Sequence, residues 1–436
     1  MRRFALALLF ACSSPSATIQ VTYGGEPTDP DVSTATLAAV DQTGNSTTLG
    51  GPAAASGTLD LGDSSSTLVA SLQLTGNDAS GNAVVFGTTP FVELGALDGA
   101  TLPLFVQRKG ELARMPGETT DDRSAPLLAV TGRGIYYAGG SLSGASGPLD
   151  VGGYDLLGLE AFGTTCEVNL NATSFALIQL TQENENGDLG YAALVDDAGY
   201  LAVGLPSCGG GADTPTKELP TGLLSWADVS RAPTVMGDDG AAYIVGPSKT
   251  DAPSSSILVV SPKAESVSVI STTSRQGAAS AWAPGRGIFL YGGGGGATLI
   301  TAAGAATDSP YPVEPAQGLA AVAFDATKTM LVAGGAAAPV TIDLSCGAGC
   351  APTPFGQAPA VALQSPSLFA LGHGAFLLVG DDSSGTTHVF RLDGGPESPP
   401  EIPLKIPRQG ARAVQTPTGA IVIVGGGSAT PESYVE

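Results

Sequence analysis

Four arginine residues stand at one position of a recurring pattern, and their chemistry suits them to binding an anion. Each precedes, by 15 to 17 residues, a glycine that ends an apolar run, and one glutamine holds the same position. The five residues are Arg123, Arg231, Arg275, Gln317 and Arg408. Guanidinium groups form paired hydrogen bonds with carboxylate and sulfate groups. If the repeats surround one axis, these side chains meet at the mouth of a central channel and bind carboxylate, sulfate or sugar groups, unless each arginine instead donates to main-chain carbonyls of a neighbouring repeat.

An acidic stretch is the best metal candidate in the sequence. Glu183, Glu185 and Asp188 place carboxylate oxygens around Gly187, and calcium prefers oxygen ligands in loops of this kind. The stretch lacks the full EF-hand pattern. It therefore predicts either a calcium site formed by those three carboxylates or a solvated acidic hairpin.

The two histidines do not belong to a set that could carry catalysis. His373 lies in a Gly-His-Gly turn and His388 begins a strand, and the sequence has no Gly-x-Ser-x-Gly nucleophile motif. A run of five glycines, 292–296, is not followed by the lysine of a phosphate-binding loop. We therefore expect no enzymatic activity and no cofactor, and we assign structural or solvent-exposed roles to both histidines.

The first residues resemble the signal of a bacterial lipoprotein. Two arginines precede an apolar run, residues 4–11, that is too short to span a bilayer, and Cys12 follows it. By this resemblance residues 1–11 are a signal peptide, Cys12 is the lipidated residue, and residues 12–16 are a lipidated tether. The resemblance implies an exported protein held by lipid in the cell envelope, at the outer membrane. An ordinary signal peptide or a chance apolar start is the alternative.

Four further cysteines suit a protein in an oxidising compartment. Cys346 and Cys350 are separated by Gly-Ala-Gly and could close a small loop, which leaves Cys166 to pair with Cys208. A zinc site is the alternative for the same cysteines. The even number predicts two disulfides.

Composition indicates a folded all-β protein with an acidic surface. The chain carries 40 acidic and 18 basic residues, a formal net charge of −22, which repels nucleic acids and anionic membranes. Its 61 glycines and 32 prolines fall between short, evenly spaced hydrophobic runs, as turns do between strands. We therefore expect no nucleic-acid partner, and membrane association through the lipid anchor alone.

Residues 17–106 show the period-two alternation of strands that have one buried face. Leucine occupies most alternate positions from Leu68 to Leu74, and clusters of turn residues separate the apolar runs. We count six or seven short strands within about 90 residues. This pattern predicts a small immunoglobulin-like or fibronectin-like β-sandwich.

A sequence motif made of a turn, four or five apolar residues and one or two glycines recurs through the rest of the chain. Its first closing glycines stand at positions 139, 204, 246, 292, 334, 380 and 425. After the first interval they are 42 to 46 residues apart, and a four-stranded propeller blade occupies about 40 to 50 residues. Residues 107–436 are therefore predicted to form a β-propeller of seven blades, with six as the alternative.

These repeats resemble the kelch repeat over roughly residues 117–436. The shared elements are the apolar run that ends in Gly-Gly and an arginine ahead of the first strand, as in Pro407-Arg408. The resemblance implies a kelch-like propeller similar to the central domain of galactose oxidase. The last repeat lacks a fourth strand after Glu436, so residues 107–116 are predicted to supply it and to close the last blade.

Together these features predict an exported, lipid-anchored protein that binds rather than catalyses. The kelch-like propeller would be a platform for a protein or glycan ligand, although one fold hosts many functions. One alternative is a propeller enzyme, a lyase or hydrolase, that acts on glycans or other polymers. A second alternative is a purely structural surface protein.

Overall fold

The chain divides into two compact units, Met1–Gln107 and Arg108–Glu436. In the computed structural model the described residues are 16–24, 32–50, 56–60, 67–130, 132–142, 152–161, 177–183, 189–195, 200–203, 216–218, 234–245, 254–261, 266–273, 278–293, 295–304, 306–308, 318–325, 328–346 and 351–436. Nearly all of the regular structure in these residues is β-strand. The described residues contain no helix with the length and hydropathy needed to span a bilayer.

The first unit is built on one hydrogen-bonded sheet and a short 3-10 helix, Leu94–Leu97. Its strands are β1 (Ser16–Tyr23), β2 (Thr34–Asp41), β3 (Ser46–Gly50), β4 (Ser56–Asp60), β5 (Val69–Asn77), β6 (Ala83–Thr88), β7 (Val92–Glu93) and β8 (Thr101–Arg108). Their order is β3-β2-β5-β6-β8-β1-β4, with β7 paired to β5. The parallel pairing of β1 with β8 joins β1 and β4 to the other strands in one hydrogen-bonded sheet, so the predicted sandwich of two sheets is not confirmed.

Two hairpin loops of the first unit share one design. The side chain of Asp41 accepts hydrogen bonds from the main-chain N–H groups of Thr43 and Asn45, at 2.9 and 2.8 Å. Asp78 accepts in the same way from the main-chain N–H groups of Ser80 and Asn82, at 2.8 and 2.9 Å. An aspartate that precedes a Ser/Thr-Gly-Asn sequence thus caps each loop from within.

The second unit is a succession of antiparallel sheets. Its strands are β9 (Leu112–Arg114), β10 (Leu127–Val130), β11 (Gly134–Ala138), β12 (Gly152–Asp155), β13 (Glu160–Ala161), β14 (Leu177–Glu183), β15 (Leu189–Val195), β16 (Tyr200–Val203), β17 (Thr216–Glu218), β18 (Thr234–Met236), β19 (Ala242–Val245), β20 (Ser254–Val260), β21 (Val267–Thr273), β22 (Ala279–Ala283), β23 (Gly287–Gly292), β24 (Gly295–Ile300), β25 (Ala306–Asp308), β26 (Leu319–Ala323), β27 (Thr329–Gly334), β28 (Val340–Asp343), β29 (Thr353–Pro354), β30 (Gln364–Gly372), β31 (Ala375–Asp381), β32 (Thr387–Leu392), β33 (Arg412–Gln415), β34 (Ile421–Val424) and β35 (Glu432–Tyr434). From β10 to β29 each group of four consecutive strands forms one sheet.

These sheets form a β-propeller, as the repeat predicted. The first strand of each sheet contacts the first strand of the next, and β33 also contacts β10, so the series closes on itself. Over the described residues six sheets have four strands and are complete blades, whereas the sheet of β30, β31 and β32 has three. The prediction of seven blades is therefore not confirmed, whereas the alternative of six agrees with the six complete sheets among the described residues. A proline-containing segment takes the fourth position, beside β32. It forms no strand there, and Glu401 pairs with Phe390 in an isolated β-bridge.

The last sheet takes its fourth strand from the beginning of the unit. Leu112, Ala113 and Arg114 of β9 pair antiparallel with Tyr434, Ser433 and Glu432 of β35. Main-chain hydrogen bonds extend the pairing at both ends, from Gly110 to Val435 and from Met115 to Pro431. The two ends of the unit thus share one blade, with β9 as its outer strand.

The second strand of each sheet is the apolar run of the repeat. Every residue of β19, β23, β31 and β34 is buried. In β31, Leu377 packs with Ile421 of the following sheet, whereas Leu378 packs with Leu331 of the preceding sheet. Because both faces of this strand are covered by neighbouring sheets, the run is apolar throughout and does not alternate.

Candidate functional site

Arg408 lies before β33, and its side chain is buried. Its Nη1 donates to the carbonyl oxygen of Gly425 at 2.6 Å, and its Nη2 donates to the carbonyl oxygen of Thr430. Nε and Nη2 each donate to Oε1 of Glu432 at 3.2 Å. The segment before the first strand is thereby fixed to the end of the second strand and to the start of the third strand of the same sheet.

The partner of Arg408 is a carboxylate that is fully buried. Besides the guanidinium, Glu432 accepts hydrogen bonds from the main-chain N–H groups of Lys405 at 2.8 Å and Ile406 at 3.0 Å. Burial lowers the pKa of Arg408, and the charge and hydrogen bonds of Glu432 oppose that effect. Each ion of such a pair is costly to bury without the other, so Arg408 and Glu432 act as one structural unit.

Arg123 makes the equivalent contacts in the first sheet. Its Nε donates to Oδ1 of Asp121 at 2.7 Å, its Nη2 donates to Oδ2 of the same residue, and its Nη1 donates to the carbonyl oxygen of Gly139 at 3.3 Å. The guanidinium carbon lies 5.0 Å from the centre of the Tyr137 ring, within cation–π range. Burial acts to raise the pKa of Asp121, but the hydrogen bonds and charge of Arg123 outweigh it and hold that pKa below its usual value.

The prediction that these arginines bind a ligand is therefore wrong for both described members of the set. Arg123 and Arg408 are each 1% exposed, and their guanidinium groups donate to a carboxylate and to carbonyl oxygens. The alternative interpretation also needs correction, because Gly139 and Gly425 belong to the same sheet as their arginine and not to the neighbouring one. The other predicted members, Arg231, Arg275 and Gln317, lie outside the described residues.

The main chain of each arginine links its sheet to the preceding one. The carbonyl oxygen of Arg123 accepts the N–H of Gly426 in the last sheet at 2.8 Å. The carbonyl oxygen of Arg408 accepts the N–H of Thr387 in the preceding sheet at 3.0 Å. One residue thus fixes its own sheet through its side chain and the neighbouring sheet through its main chain. We call these arrangements the arginine clamps.

A further arginine, Arg412, begins the inner strand β33 and is paired across a joint between sheets. Its Nη1 donates to Oδ2 of Asp381 at 2.7 Å, and Thr387 donates to the other oxygen of that carboxylate at 2.7 Å. Asp381 follows the closing Gly380 and so holds the place that Gly426 holds in the last repeat. At this joint the carboxylate of Asp381 therefore adds an ion pair between the two sheets.

The histidines occupy the positions that a structural or exposed role predicts. His373 is exposed and has a φ of 51° in the turn between β30 and β31. His388 lies in β32, where Nδ1 is 2.7 Å from Oε1 of Glu401 and Nε2 is 3.5 Å from Oδ2 of Asp382. Within the described residues, no group of three or more His, Cys, Asp or Glu side chains is arranged to hold a metal ion.

Several predicted site residues fall outside the part of the chain that the structure describes. They are the side chain of Glu183, residues Glu185 and Asp188 of the calcium candidate, and Cys12, Cys166, Cys208 and Cys350. Cys346 is disulfide-bonded. Its pairing with Cys350, the second disulfide, the acylation of Cys12 and the calcium site all stay predictions.

The clamps lie at one end of the propeller sheets, where they hold a set of loops together. The loops are the segments before the first strands and the connections between second and third strands, since Arg408 holds both to one another. We call this end the clamped face, which comprises residues 119–126, 382–386, 405–411 and 425–430. The turns between first and second strands, such as residues 416–419, lie at the opposite end because the strands are antiparallel.

Comparison with known proteins finds resemblance to solved structures alone. No protein-family model and no curated protein matches the chain. A gluconolactonase from Xanthomonas campestris is 13% identical over 76% of this chain and 91% of its own, with a TM-score of 0.37. A protein of unknown function from Bacteroides thetaiotaomicron is 10% identical over 92% and 90%, with a TM-score of 0.42. The WD40 domain of coronin from Toxoplasma gondii is 12% identical over 74% and 86%, with a TM-score of 0.46. At such identities and scores these names say nothing about the activity of this chain.

Proposed function

We propose that the protein is an exported, lipid-anchored binding or scaffold protein whose kelch-like propeller presents its clamped face to a protein or glycan ligand, without catalysing a reaction. The observation that carries the proposal is that the guanidinium groups of Arg408 and Arg123 already donate to groups of the protein itself. Among the described residues these were the side chains best placed in the sequence to meet an anionic substrate. Both instead hold loops of their own sheets.

The clamps favour binding at this face because they fix the loops before any ligand arrives. Arg408 ties its segment to the loop at Thr430, and Thr387 N–H ties the preceding sheet to the same segment. A loop that is already ordered loses little conformational entropy on binding, which raises affinity. A rigid face of loops is the general form of a binding platform.

We count the three-stranded sheet as a seventh blade. Beside β32, Ile402 donates from its main chain to Val389 at 2.8 Å, and Arg391 donates to Pro400 at 3.2 Å. Prolines interrupt this outer segment, so it pairs as a short bridge where the other sheets have a regular strand. The spacing of the repeat supports the same count.

The binding experiment uses purified protein carrying Cys12→Ala, tested against a glycan array and, by cross-linking and mass spectrometry, against an envelope protein extract. Two exposed residues place a bulky group on opposite faces: Ser383→Trp on the clamped face and Pro417→Trp on the other. We expect a saturable ligand whose affinity falls in the Ser383 variant and not in the Pro417 variant. Loss in the Pro417 variant alone, or recovery of a cleaved glycan, would contradict the proposal.

The anchor is tested separately, in a bacterial host, by metabolic labelling with an alkyne fatty acid. We expect label in the parent protein and in the membrane fraction, and neither in the Cys12→Ala variant. Label that persists in the variant, or an unlabelled parent, would refute anchoring at Cys12 and leave the binding proposal to its own test.

A further inference from the structure

His388 stands between two carboxylates that belong to different parts of its sheet. Glu401, 2.7 Å from Nδ1, lies on the outer segment that bridges Phe390. Asp382, 3.5 Å from Nε2, begins the loop 382–386 of the clamped face. The imidazole therefore connects that loop to the outermost part of the sheet.

The ring can donate to both carboxylates in one protonation state alone. A doubly protonated imidazole has two N–H donors, whereas the neutral ring has one donor and one lone pair. The shorter contact, to Glu401, selects the tautomer with its proton on Nδ1, because the stronger partner fixes the proton. In that tautomer the lone pair of Nε2 faces an oxygen of Asp382, and the contact to the loop is repulsive.

The loop carboxylate keeps its charge throughout the range in which histidine titrates. Hydrogen bonding, chiefly from the side chain of Ser384, lowers the pKa of Asp382 to about 2. The other groups that face the ring are Glu401 and the ring of Phe390, stacked 6.1 Å away. Arg412 on the neighbouring sheet pairs with Asp381 and so leaves Asp382 to the histidine.

We propose that His388 is a pH-operated latch, which ties the loop 382–386 to β32 when the ring is doubly protonated and releases the loop when Nε2 loses its proton. The loop keeps its own fold in both states, because Oδ1 of Asp382 accepts from the main chain of Ser384 and Thr386 at 2.8 and 2.9 Å. The contact to Glu401 also survives. What changes is the attachment of one loop of the clamped face to its sheet.

The first test is the ring ¹⁵N spectrum of the whole protein between pH 5 and 8, where histidine ordinarily titrates at about 6.5. His373, exposed in its turn, is the internal reference and Glu401→Gln the companion variant. We expect the neutral form of His388 to carry its proton on Nδ1 in the parent and to shift toward the Nε2 tautomer in the variant, where the carboxylate of Asp382 is the stronger remaining acceptor. A neutral form with its proton on Nε2 in the parent would overturn the latch.

The second test is hydrogen exchange of the Gly410 amide, which donates to the carbonyl oxygen of Gly385 in the loop at 3.0 Å, corrected for the intrinsic pH dependence of exchange. We expect protection to fall about 1.5- to 5-fold from pH 5.5 to pH 8, the range of a weak ion pair near the protein surface. His388→Asn should be as unprotected at pH 5.5 as the parent is at pH 8, while His373→Asn should behave as the parent. Equal protection at both pH values in the parent would overturn the proposal even if the tautomer were the expected one.

Discussion

Arg408 donates from Nη1 to the carbonyl oxygen of Gly425, 2.6 Å away and 17 residues later in the chain. Arg123 and Gly139, 16 residues apart, make the same contact at 3.3 Å. Those intervals cover the first strand, its turn and the second strand, so the arginine and the closing glycine meet where the hairpin returns to its starting end. The interval of 16 or 17 residues between the arginine and the glycine is thus the length of the hairpin that the clamp closes.

Gly425 should not tolerate a side chain, because its backbone has a φ of +75° and an added Cβ would lie 2.3 Å from the carbonyl oxygen of Arg123. Gly419 is the matched control, since its φ is +90° and no atom lies within 4 Å of an added Cβ. We expect Gly419→Ala to cost about 1–2 kcal/mol for the left-handed backbone alone. Gly425→Ala should cost about 1–3 kcal/mol more, because the joint must open. Urea unfolding of both variants measures the difference, and equal losses would contradict this account of the joint.

The pairing of β9 with β35 should accept a cross-link. Ala113 and Ser433 are directly opposite in this pairing, and opposite residues of antiparallel strands have Cα atoms about 4.5–5.5 Å apart, within the range of a disulfide. We expect Ala113→Cys with Ser433→Cys to form a disulfide in mild oxidant and to stabilise the unit by about 2–4 kcal/mol.

The cross-linked protein is compared with its reduced form by thermal unfolding. The same reductant acting on the parent protein is the control, since Cys346 is itself disulfide-bonded. Failure of the two introduced thiols to oxidise while the protein is folded would show that this register does not close the last blade.

Asp41 should titrate well below an ordinary aspartate. Hydrogen bonds lower its pKa to about 2, first from the side chain of Thr43 and then from Asn45. Because the pKa is lower in the folded than in the unfolded state, this stabilisation is present above about pH 4 and is lost as the pH falls toward 2. Carboxyl ¹³C titration, assigned by Asp41→Asn, should show Thr43→Val raising the midpoint and Thr47→Val leaving it unchanged. A midpoint near 4 in the parent would refute the loop geometry.

The repeat made the propeller predictable because each part of the sequence motif is required by one physical feature of the fold. Strands such as β31 are apolar throughout because they are covered on both faces, and Gly425 is glycine because Arg123 approaches it closely. The three-stranded sheet was less predictable. Its outer segment around Glu401 has strand-like alternation, but its prolines allow a bridge and no regular ladder.

The position of the arginines could be read from the sequence, whereas their partners could not. Asp121 lies two residues before its arginine, and Glu432 lies 24 residues after its own, on the third strand. Two different carboxylates at different offsets do the same work, so no repeated spacing reveals them. Without a visible partner, a recurring arginine suggests a ligand as readily as an internal contact.

The first unit shows a different limit. Alternation identified its strands, since Leu72 and Leu74 are buried on one face. Alternation does not specify which strands pair, and the parallel pairing of β1 with β8 makes one sheet where two were predicted. The capped loops at Asp41 and Asp78 do have a signal, an aspartate before Ser/Thr-Gly-Asn, which could have been found.

The central claim is that the arginines are part of the architecture, and Arg408→Met tests it most directly. Urea unfolding followed by tryptophan fluorescence reports on the propeller unit, because both tryptophans, Trp226 and Trp282, belong to it. The control is Arg133→Met, whose side chain is 62% exposed beside Asp155 and should matter by less than about 1 kcal/mol. We predict that Arg408→Met, which leaves Glu432 buried without its partner, lowers the free energy of unfolding by about 3–5 kcal/mol. A loss no larger than that of the control would contradict the claim.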